Sequence, residues 1–127
     1  MEFRQGDIFF YEPPAEQAAP LFVASGSEQK GFRPWVVVSV EAVHAQTPTV
    51  VAVPLSTKTN KANSYRINLP ASELIAAPGR APFVNSVALC DHVRVIEKQQ
   101  LTVKAGRLSE NAILAVGLGL AYVFDLR

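Results

Sequence analysis

Apolar and alternating segments recur along most of this 127-residue chain, separated by polar or proline-containing stretches. Alternation with a period of two, and short apolar runs bounded by turn residues, are typical of β-strands. The pattern predicts strands at about residues 5–11, 34–40, 49–55, 64–69, 86–90 and 92–97. The chain is therefore expected to be mainly β, with a short helix at 71–76.

A helical pattern closes the chain. Residues 112–124 form an uncharged apolar run, well short of the roughly 20 residues that a helix needs to cross a bilayer. Ser109 is a suitable N-cap and Glu110 favours the positive end of a helix, so we predict a helix over about 111–124. It is apolar on nearly every face and needs burial all round, either by packing across the sheet or at a subunit interface.

The longest predicted loop runs from Glu12 to Phe32, and loops of that length in compact domains are often functional. It ends at Arg33, directly before Pro34, a residue that can open a strand but not occupy its interior. The rigid fork of donors on an arginine suits phosphate. The sequence therefore places an anion-binding side chain at the mouth of a strand. A second polar loop spans residues 57–63.

The composition indicates one domain, residues 1–127, able to bury a core without disulfides or metals. The chain has twelve Lys and Arg residues and eleven Asp and Glu residues, which gives a net charge of +1. The total charge therefore does not predict nucleic-acid binding. Basic residues nevertheless cluster in or beside the two loops, which indicates either a local positive patch or a solvated mixed-charge surface. They are Lys30, Arg33, Lys58, Lys61 and Arg66.

The lone Cys90 cannot form an internal disulfide, and His44 and His92 are far apart, so no zinc site is predicted. The N-terminal residues lack the features of a signal peptide, which fits a cytoplasmic protein. We expect no membrane association, metal or cofactor.

Several motifs, in a shared order, resemble the MazF/PemK (Kid) toxins. The spacing Gly-x-Glu-Gln-x-Gly-x-Arg-Pro at residues 26–34 is followed at once by a hydrophobic strand. Residues 4–10 resemble that family's opening strand, and residues 53–57 its third strand, which ends in a hydroxyl pair. Residues 86–96 match the block with an aspartate after a buried strand. The resemblance covers nearly the whole chain.

The resemblance implies a small SH3-like antiparallel β-barrel of the CcdB/PemK kind with a C-terminal helix, usually paired as a homodimer. It implies a type II toxin that cuts single-stranded mRNA at specific sequences, without metal, leaving a 2′,3′-cyclic phosphate and a 5′-hydroxyl. The cognate antitoxin would place an acidic C-terminal segment in the RNA groove, and DNA binding would belong to the complex with that antitoxin.

Three residues are candidates for catalysis by this resemblance. Arg33 would stabilise the phosphorane, although an isolated arginine could equally form a surface salt bridge to Glu28 or Asp91. Ser56 would donate to a phosphate oxygen, with Thr57 as the alternative hydroxyl. Asp91 is either the base or a structural group that holds Arg33 or a loop.

The chain departs from the PemK/Kid branch at two positions. That branch has an arginine where this chain has Leu89, and a histidine where it has Ser27. His92 is interpreted as a strand residue at the barrel surface and not as a catalytic base, and Trp35 as a core residue. The candidate RNA-binding residues are Glu28, Gln29, Lys30, Phe32, Thr57, Lys58 and Lys61.

Two other functions are compatible with this fold. A CcdB-like toxin binds a protein target such as DNA gyrase without catalysis, but that family relies on a C-terminal Trp-Gly-Ile, and this chain ends Phe-Asp-Leu-Arg. A barrel that binds RNA but has lost activity is the third hypothesis, against which Arg33 and Ser56 argue.

Overall fold

Antiparallel strands are the main regular elements of the computed structural model, which describes residues 2–14 and 32–126. In these residues two α-helices accompany the strands: α1 (Glu41–His44) and α2 (Glu110–Val123). The strands are β1 (Asp7–Tyr11), β2 (Arg33–Val37), β3 (Thr49–Ser56), β4 (Arg66–Leu69), β5 (Leu74–Ala76), β6 (Ser86–Leu89), β7 (Arg94–Glu97) and β8 (Lys104–Leu108).

The strands form a nearly closed antiparallel barrel in the order β4-β6-β3-β2-β1-β8-β5, and β7 also pairs with β3. Strand β3 is the longest, and one of its edges is shared by β7 and β6 in succession. Its other edge pairs with β2, which in turn pairs with β1. The end of β3 therefore lies where β2 and β6 both approach it.

Strands β1 and β2 carry buried apolar side chains on both faces. Ile8 and Val36 belong to a core cluster that also includes Val116 of α2. Phe9 and Trp35, which alternate with them, belong to a second cluster. Burial on both faces explains why these strands have nearly continuous apolar sequences.

Helix α2 begins as the sequence predicts, because the Ser109 side chain accepts a hydrogen bond from the Ala112 backbone N–H at 3.1 Å. One face of the helix packs on the sheet, and Gly119 lets it approach closely. A Cβ atom at Gly119 would lie 2.8 Å from Cys90 Sγ. The opposite face is exposed, so burial on all sides, expected from its composition, is not reached within one chain.

Two strands were missed by the hydrophobic pattern. The segment predicted as a short helix at 71–76 is a 3₁₀ turn, Ala71–Glu73, followed by β5, so that prediction is wrong beyond the first turn. Strand β5 pairs with β8, which contains Lys104, Gly106 and Arg107 and lacks a strand-like composition. Pairing with β1 and β5 creates this strand in spite of its weak local preference. The short helix α1 was also not predicted.

Candidate functional site

Arg33 and Ser56 lie on one face of the sheet, at the ends of neighbouring strands. Arg33 opens β2 and Ser56 closes β3. In this antiparallel pair Trp35 lies opposite Pro54, and continuing the register by two residues brings Arg33 opposite Ser56. Side chains directly opposite one another project from the same face. The guanidinium and the hydroxyl of these two predicted site residues therefore share one surface.

The Ser56 hydroxyl is held in place by its own chain. Its Oγ accepts a hydrogen bond from the Lys58 backbone N–H at 3.1 Å. A serine hydroxyl has one hydrogen and two acceptor lone pairs, so accepting this bond keeps the hydrogen for donation to a ligand. The geometry suits a group that donates to a phosphate oxygen.

A large bulge opens beside these residues, on the other edge of β3. Leu55 pairs with Ala88 of β6, whereas Ala52 pairs with Arg94 of β7. The intervening residues 53–54 therefore face residues 89–93, three more than a continuous ladder would need. Within this longer segment, residues Cys90–His92 form a 3₁₀ turn that carries Asp91 and His92 out of the sheet. Bulges commonly re-aim side chains next to active sites.

Pro54 explains why the strand pairing along this edge of β3 is interrupted at the bulge. The Val51 carbonyl accepts from Val38 on the β2 side, so by alternation the backbone of residue 54 faces the bulge. Proline has no backbone N–H, so β3 offers no donor there to a paired strand. The Val-Pro-Leu-Ser sequence of β3 thus sets both the position of Ser56 and the break that projects Asp91.

Asp91 forms a bidentate ion pair with Arg66 of β4. The Arg66 Nη2 to Asp91 Oδ2 distance is 2.8 Å and the Nε to Oδ1 distance is 3.2 Å. Burial is the largest single influence and raises the pKa of Asp91, but the hydrogen bond from Arg66, a backbone hydrogen bond and the charges of His92 and Arg66 together hold that pKa below its ordinary value. The same bond raises the pKa of Arg66. An ionised carboxylate that accepts two hydrogen bonds from Arg66 is suited to holding the turn in place.

His92 lies beside Asp91, with its Nε2 atom 3.6 Å from Asp91 Oδ2 and its side chain 23% exposed. Burial lowers the pKa of His92 below its ordinary value, the charge of Asp91 opposes this shift, and the charges of Arg66 and Arg33 add to it. His92 therefore lies on the 3₁₀ turn beside Asp91, and its predicted placement on a regular strand was wrong.

Thr57 takes a different direction from Ser56. It borders a cavity of about 410 Å³ together with Phe10, Pro34 and Ser86. Pro34 alternates with Arg33 along β2, so this cavity opens on the other face of the strand. Of the two hydroxyls that the sequence left undecided, Ser56 is the one that shares the face of Arg33.

Arg94 is a further cation on this face, and no sequence motif predicted its position there. It lies opposite Ala52, and its guanidinium carbon is 5.9 Å from the centre of the Trp35 ring. Trp35 is 2% exposed, which confirms the expected core position. Only the pairing of β7 with β3 reveals that Arg94 and Arg33 project to the same side.

The remaining predicted site residues divide into two groups. Glu28, Gln29 and Lys30 lie outside the described residues, as does the side chain of Lys61. Phe32 is 71% exposed immediately before Arg33, and Lys58 is exposed immediately after Thr57. These two side chains are therefore accessible at the site.

Within residues 2–14 and 32–126, no group of His, Cys, Asp and Glu side chains is arranged to hold a metal ion. In the same part of the chain, no helix has the length and apolar character needed to cross a membrane.

Comparisons with known proteins give the same fold and a family. The chain is 28% identical over 113 residues to "Endoribonuclease MazF" of Staphylococcus epidermidis, covering 89% of this chain and 83% of that protein. A MazE–MazF crystal structure from Deinococcus radiodurans superimposes with a TM-score of 0.68 at 18% identity, covering 100% of this chain and 99% of that one. The structure of a mycobacterial endoribonuclease in complex with its cognate antitoxin superimposes with a TM-score of 0.62 at 21% identity. The match covers 98% of this chain and 97% of that one.

These likenesses confirm the predicted barrel with a C-terminal helix and the expectation of an endoribonuclease homologue. The model of the PemK-like, MazF-like toxins of type II toxin-antitoxin systems matches residues 4–124, and the chain belongs to that family.

Proposed function

We propose that this protein is a sequence-specific endoribonuclease that cuts single-stranded mRNA in the cytoplasm, without a metal, and is neutralised by a cognate antitoxin. The observation that carries the proposal is the common face of Arg33 and Ser56, beside the bulge that holds Asp91 and His92. A guanidinium and a hydroxyl on one face can bind two oxygens of a single phosphate.

Cleavage by the ribose 2′-OH needs charge stabilisation at the phosphoryl group and proton transfer at two oxygens. Arg33 would bind the non-bridging oxygens and stabilise the charge of the phosphorane, assisted by the Ser56 hydroxyl. Asp91, committed to Arg66 by two hydrogen bonds, would fix the turn and supply negative charge. The products would be a 2′,3′-cyclic phosphate and a 5′-hydroxyl.

RNA binding would use the surface around this face. Phe32 is exposed and can stack on an unpaired base, as aromatic residues do in single-strand recognition. Lys58 and Thr57 flank Ser56, while Glu28, Gln29, Lys30 and Lys61 complete the proposed RNA-binding set.

The test is incubation of the purified protein with a long single-stranded RNA in EDTA, followed by mapping of the cut sites and end groups. Recurrent cuts at one short sequence, with 2′,3′-cyclic phosphate ends, are expected. An intact RNA would contradict the proposal and would favour the alternative, a CcdB-like toxin that acts by binding a protein. A substrate with 2′-deoxyribose at the cut site should resist cleavage, because it lacks the attacking hydroxyl.

Ser56 and Thr57 should differ in their effect on cleavage. Loss of one preorganised donor commonly lowers a rate about 100- to 1,000-fold, so Ser56→Ala should fall in or below that range. Thr57→Val keeps the shape of the side chain and should lower the rate less, because Thr57 borders the cavity on the other face. Single-turnover cleavage rates decide the question, and a larger loss for Thr57→Val would reverse the assignment.

We also propose a homodimer, because helix α2 exposes a run of large apolar side chains. Leu114, Leu118 and Tyr122 are 69%, 73% and 62% exposed, and their spacing of four residues places them on one face. Exposed contiguous apolar surface commonly marks an interface. The antitoxin would bind this dimer through an acidic segment in the RNA groove and inhibit cleavage competitively.

Leu118→Glu is expected to raise the dissociation constant of the dimer by about 100-fold or more, because a buried, unpaired charge costs several kcal/mol. Light scattering at micromolar concentration should show a dimer for the parent chain and a monomer for this variant. The control Val95→Glu alters an exposed apolar residue on β7 and should remain dimeric. A monomeric parent chain would refute the proposed interface.

A further inference from the structure

The cavity of about 410 Å³ lies at one end of the barrel, next to the strand ends that carry Arg33 and Ser56. It is bordered by Pro34, which follows Arg33, and by Thr57, which follows Ser56. Ligand sites commonly occupy the mouths of β-barrels and have volumes of about 300–1,000 Å³. A group bound in this cavity would therefore lie beside the phosphate of the proposed cleavage site.

The lining of the cavity is largely apolar and includes two aromatic rings. Phe10 of β1 and Phe83 both border it, and both pack against the core cluster that contains Ile8 and Val36. Ala105 of β8, which is 1% exposed, is a further lining residue. Aromatic side chains stack on unpaired bases, because every base has a π-face. The apolar part of the cavity thus suits a flat, unsaturated ring.

One wall of the cavity is the connection between β5 and β6, and it is anchored at both ends. The Ala77 backbone N–H donates to the carbonyl oxygen of Ala105 at 2.9 Å, and the Arg80 backbone N–H donates to the Ala77 carbonyl at 3.0 Å. At the other end, the Asn85 side-chain oxygen accepts a hydrogen bond from the Ala71 backbone N–H at 2.8 Å. The fold therefore holds the cavity in its open form.

Two polar side chains give the cavity opposite hydrogen-bonding properties. Ser86 is 4% exposed, and its Oγ donates its hydrogen to the Val84 carbonyl at 2.9 Å, so toward a ligand it can only accept. Arg80 is exposed at the rim, and among residues 2–14 and 32–126 its guanidinium has no hydrogen bond or ion pair. A guanidinium has five N–H donors and no acceptor. The cavity thus combines a buried acceptor with a fork of donors.

Among the four bases, guanine matches this combination. Its O6 and N7 atoms are adjacent acceptors, and an arginine fork binds them with two hydrogen bonds. Its N1–H and amino group are donors that a serine oxygen can accept. Adenine has an amino donor in place of O6, and a pyrimidine has no N7, so neither offers the fork two adjacent acceptors.

We propose that this cavity binds the guanine base of a nucleotide that flanks the cut phosphate, with Arg80 on O6 and N7, Ser86 as an acceptor, and Phe10 and Phe83 against the ring. This inference rests on the proposed ribonuclease function and assigns one position of the RNA sequence that the enzyme recognises. Arg80 is then a specificity-determining residue that the sequence analysis did not identify.

The first experiment maps cut sites in a random-sequence RNA with the parent chain, Arg80→Ala and Arg107→Ala. The parent should require guanine at one fixed position next to the cut. A bidentate arginine contact is worth about 5- to 150-fold in base discrimination, and Arg80→Ala should lose that preference for guanine. Arg107→Ala removes an exposed arginine of β8 that does not line the cavity, so it should keep the parental preference.

The second experiment changes the RNA. Replacing that guanine with 7-deazaguanine removes the N7 acceptor and should lower the single-turnover rate of the parent by about 10-fold. The same replacement should lower the rate of Arg80→Ala little further, because the contact is already lost. Arg80→Lys should not restore the preference, because an ammonium does not reproduce the fork. Ala81→Leu adds bulk at the exposed rim and should weaken binding of the guanine-containing RNA.

Three outcomes would overturn the inference while leaving the ribonuclease function intact: a parental recognition sequence without guanine, an unchanged guanine preference in Arg80→Ala, or a parental rate that 7-deazaguanine does not lower. If Arg80→Ala and Ala81→Leu kept the cut-site preference and instead weakened antitoxin binding, the cavity would be a protein-docking site and not a base-binding one. A folded parent chain that leaves RNA uncut would refute the proposed function itself. Circular dichroism and melting temperature confirm that each variant is folded.

Discussion

Replacing Arg33 with alanine is expected to lower the rate of RNA cleavage by at least about 100- to 1,000-fold while leaving the fold intact. Arg33 is half-buried at the start of β2, opposite Ser56, where it would stabilise charge that develops in the transition state. Arg33→Lys should restore little activity, because an ammonium does not reproduce the bidentate fork. Single-turnover cleavage of the mapped RNA measures the effect.

The matched control is Arg107→Ala, which removes an exposed arginine from β8. It should cut at the parental rate, and all three variants should keep the circular dichroism spectrum and melting temperature of the parent. Parental activity in Arg33→Ala, or a loss of activity that merely follows unfolding, would remove the catalytic role from Arg33.

Gly106→Ala is expected to have the largest effect on stability. A Cβ atom at this position would lie 2.1 Å from the backbone oxygen of Ile75 and 2.8 Å from Cε2 of Phe83. The nearer atom belongs to the paired strand β5 and cannot move without shifting the ladder between β5 and β8. Overpacking of a core typically costs about 1–3 kcal/mol and occasionally more, so the free energy of unfolding should fall by at least that amount.

Gly117→Ala provides the control for this prediction. Gly117 lies on the exposed side of α2, and a Cβ built there meets no heavy atom of the described residues within 4 Å, apart from its chain neighbours and the backbone of its own helix. Alanine in a helix interior is favoured over glycine by about 1 kcal/mol, so this variant should be more stable than the parent. Urea denaturation gives the free energy of unfolding of both variants and of the parent. Equal stability of Gly106→Ala and the parent would show that the strand pair relaxes around the added methyl group.

Strands with a strong apolar pattern were correctly predicted because their local and tertiary preferences agree. β1, β2 and β3 bury side chains on both faces, and the closing helix begins at its predicted cap. β8 was missed because Gly106 and two cations contradict a strand pattern, and β5 was mistaken for helix because only three of its residues pair. β8 pairs with β1 and with β5, so both strands depend on partners that are distant in the sequence. A pattern read over a short segment of sequence does not include these pairings.

The candidate site divides in the same way. Arg33, Ser56 and Asp91 are recognisable in the sequence because each lies at or next to the end of an apolar strand segment within a family motif. The ion pair of Asp91 with Arg66 joins residues 25 positions apart, so the spacing of residues along the chain gave no sign of it. The choice between Ser56 and Thr57 also required strand register, because only pairing shows which face a side chain takes.

By itself, the sequence determined the barrel class, the closing helix, the toxin family and the position of the arginine that we propose to bind phosphate, because these depend on periodicity, capping and short motifs that local chemistry controls. The tertiary structure alone decided what lies beside the ends of β2 and β3. A proline in β3 faces the β6–β7 connection, the connection bulges, and the resulting turn carries Asp91 to Arg66 and His92 to the side of Asp91. Local preference favoured a surface strand for His92, and the three-residue mismatch between two strand registers placed it on the 3₁₀ turn instead.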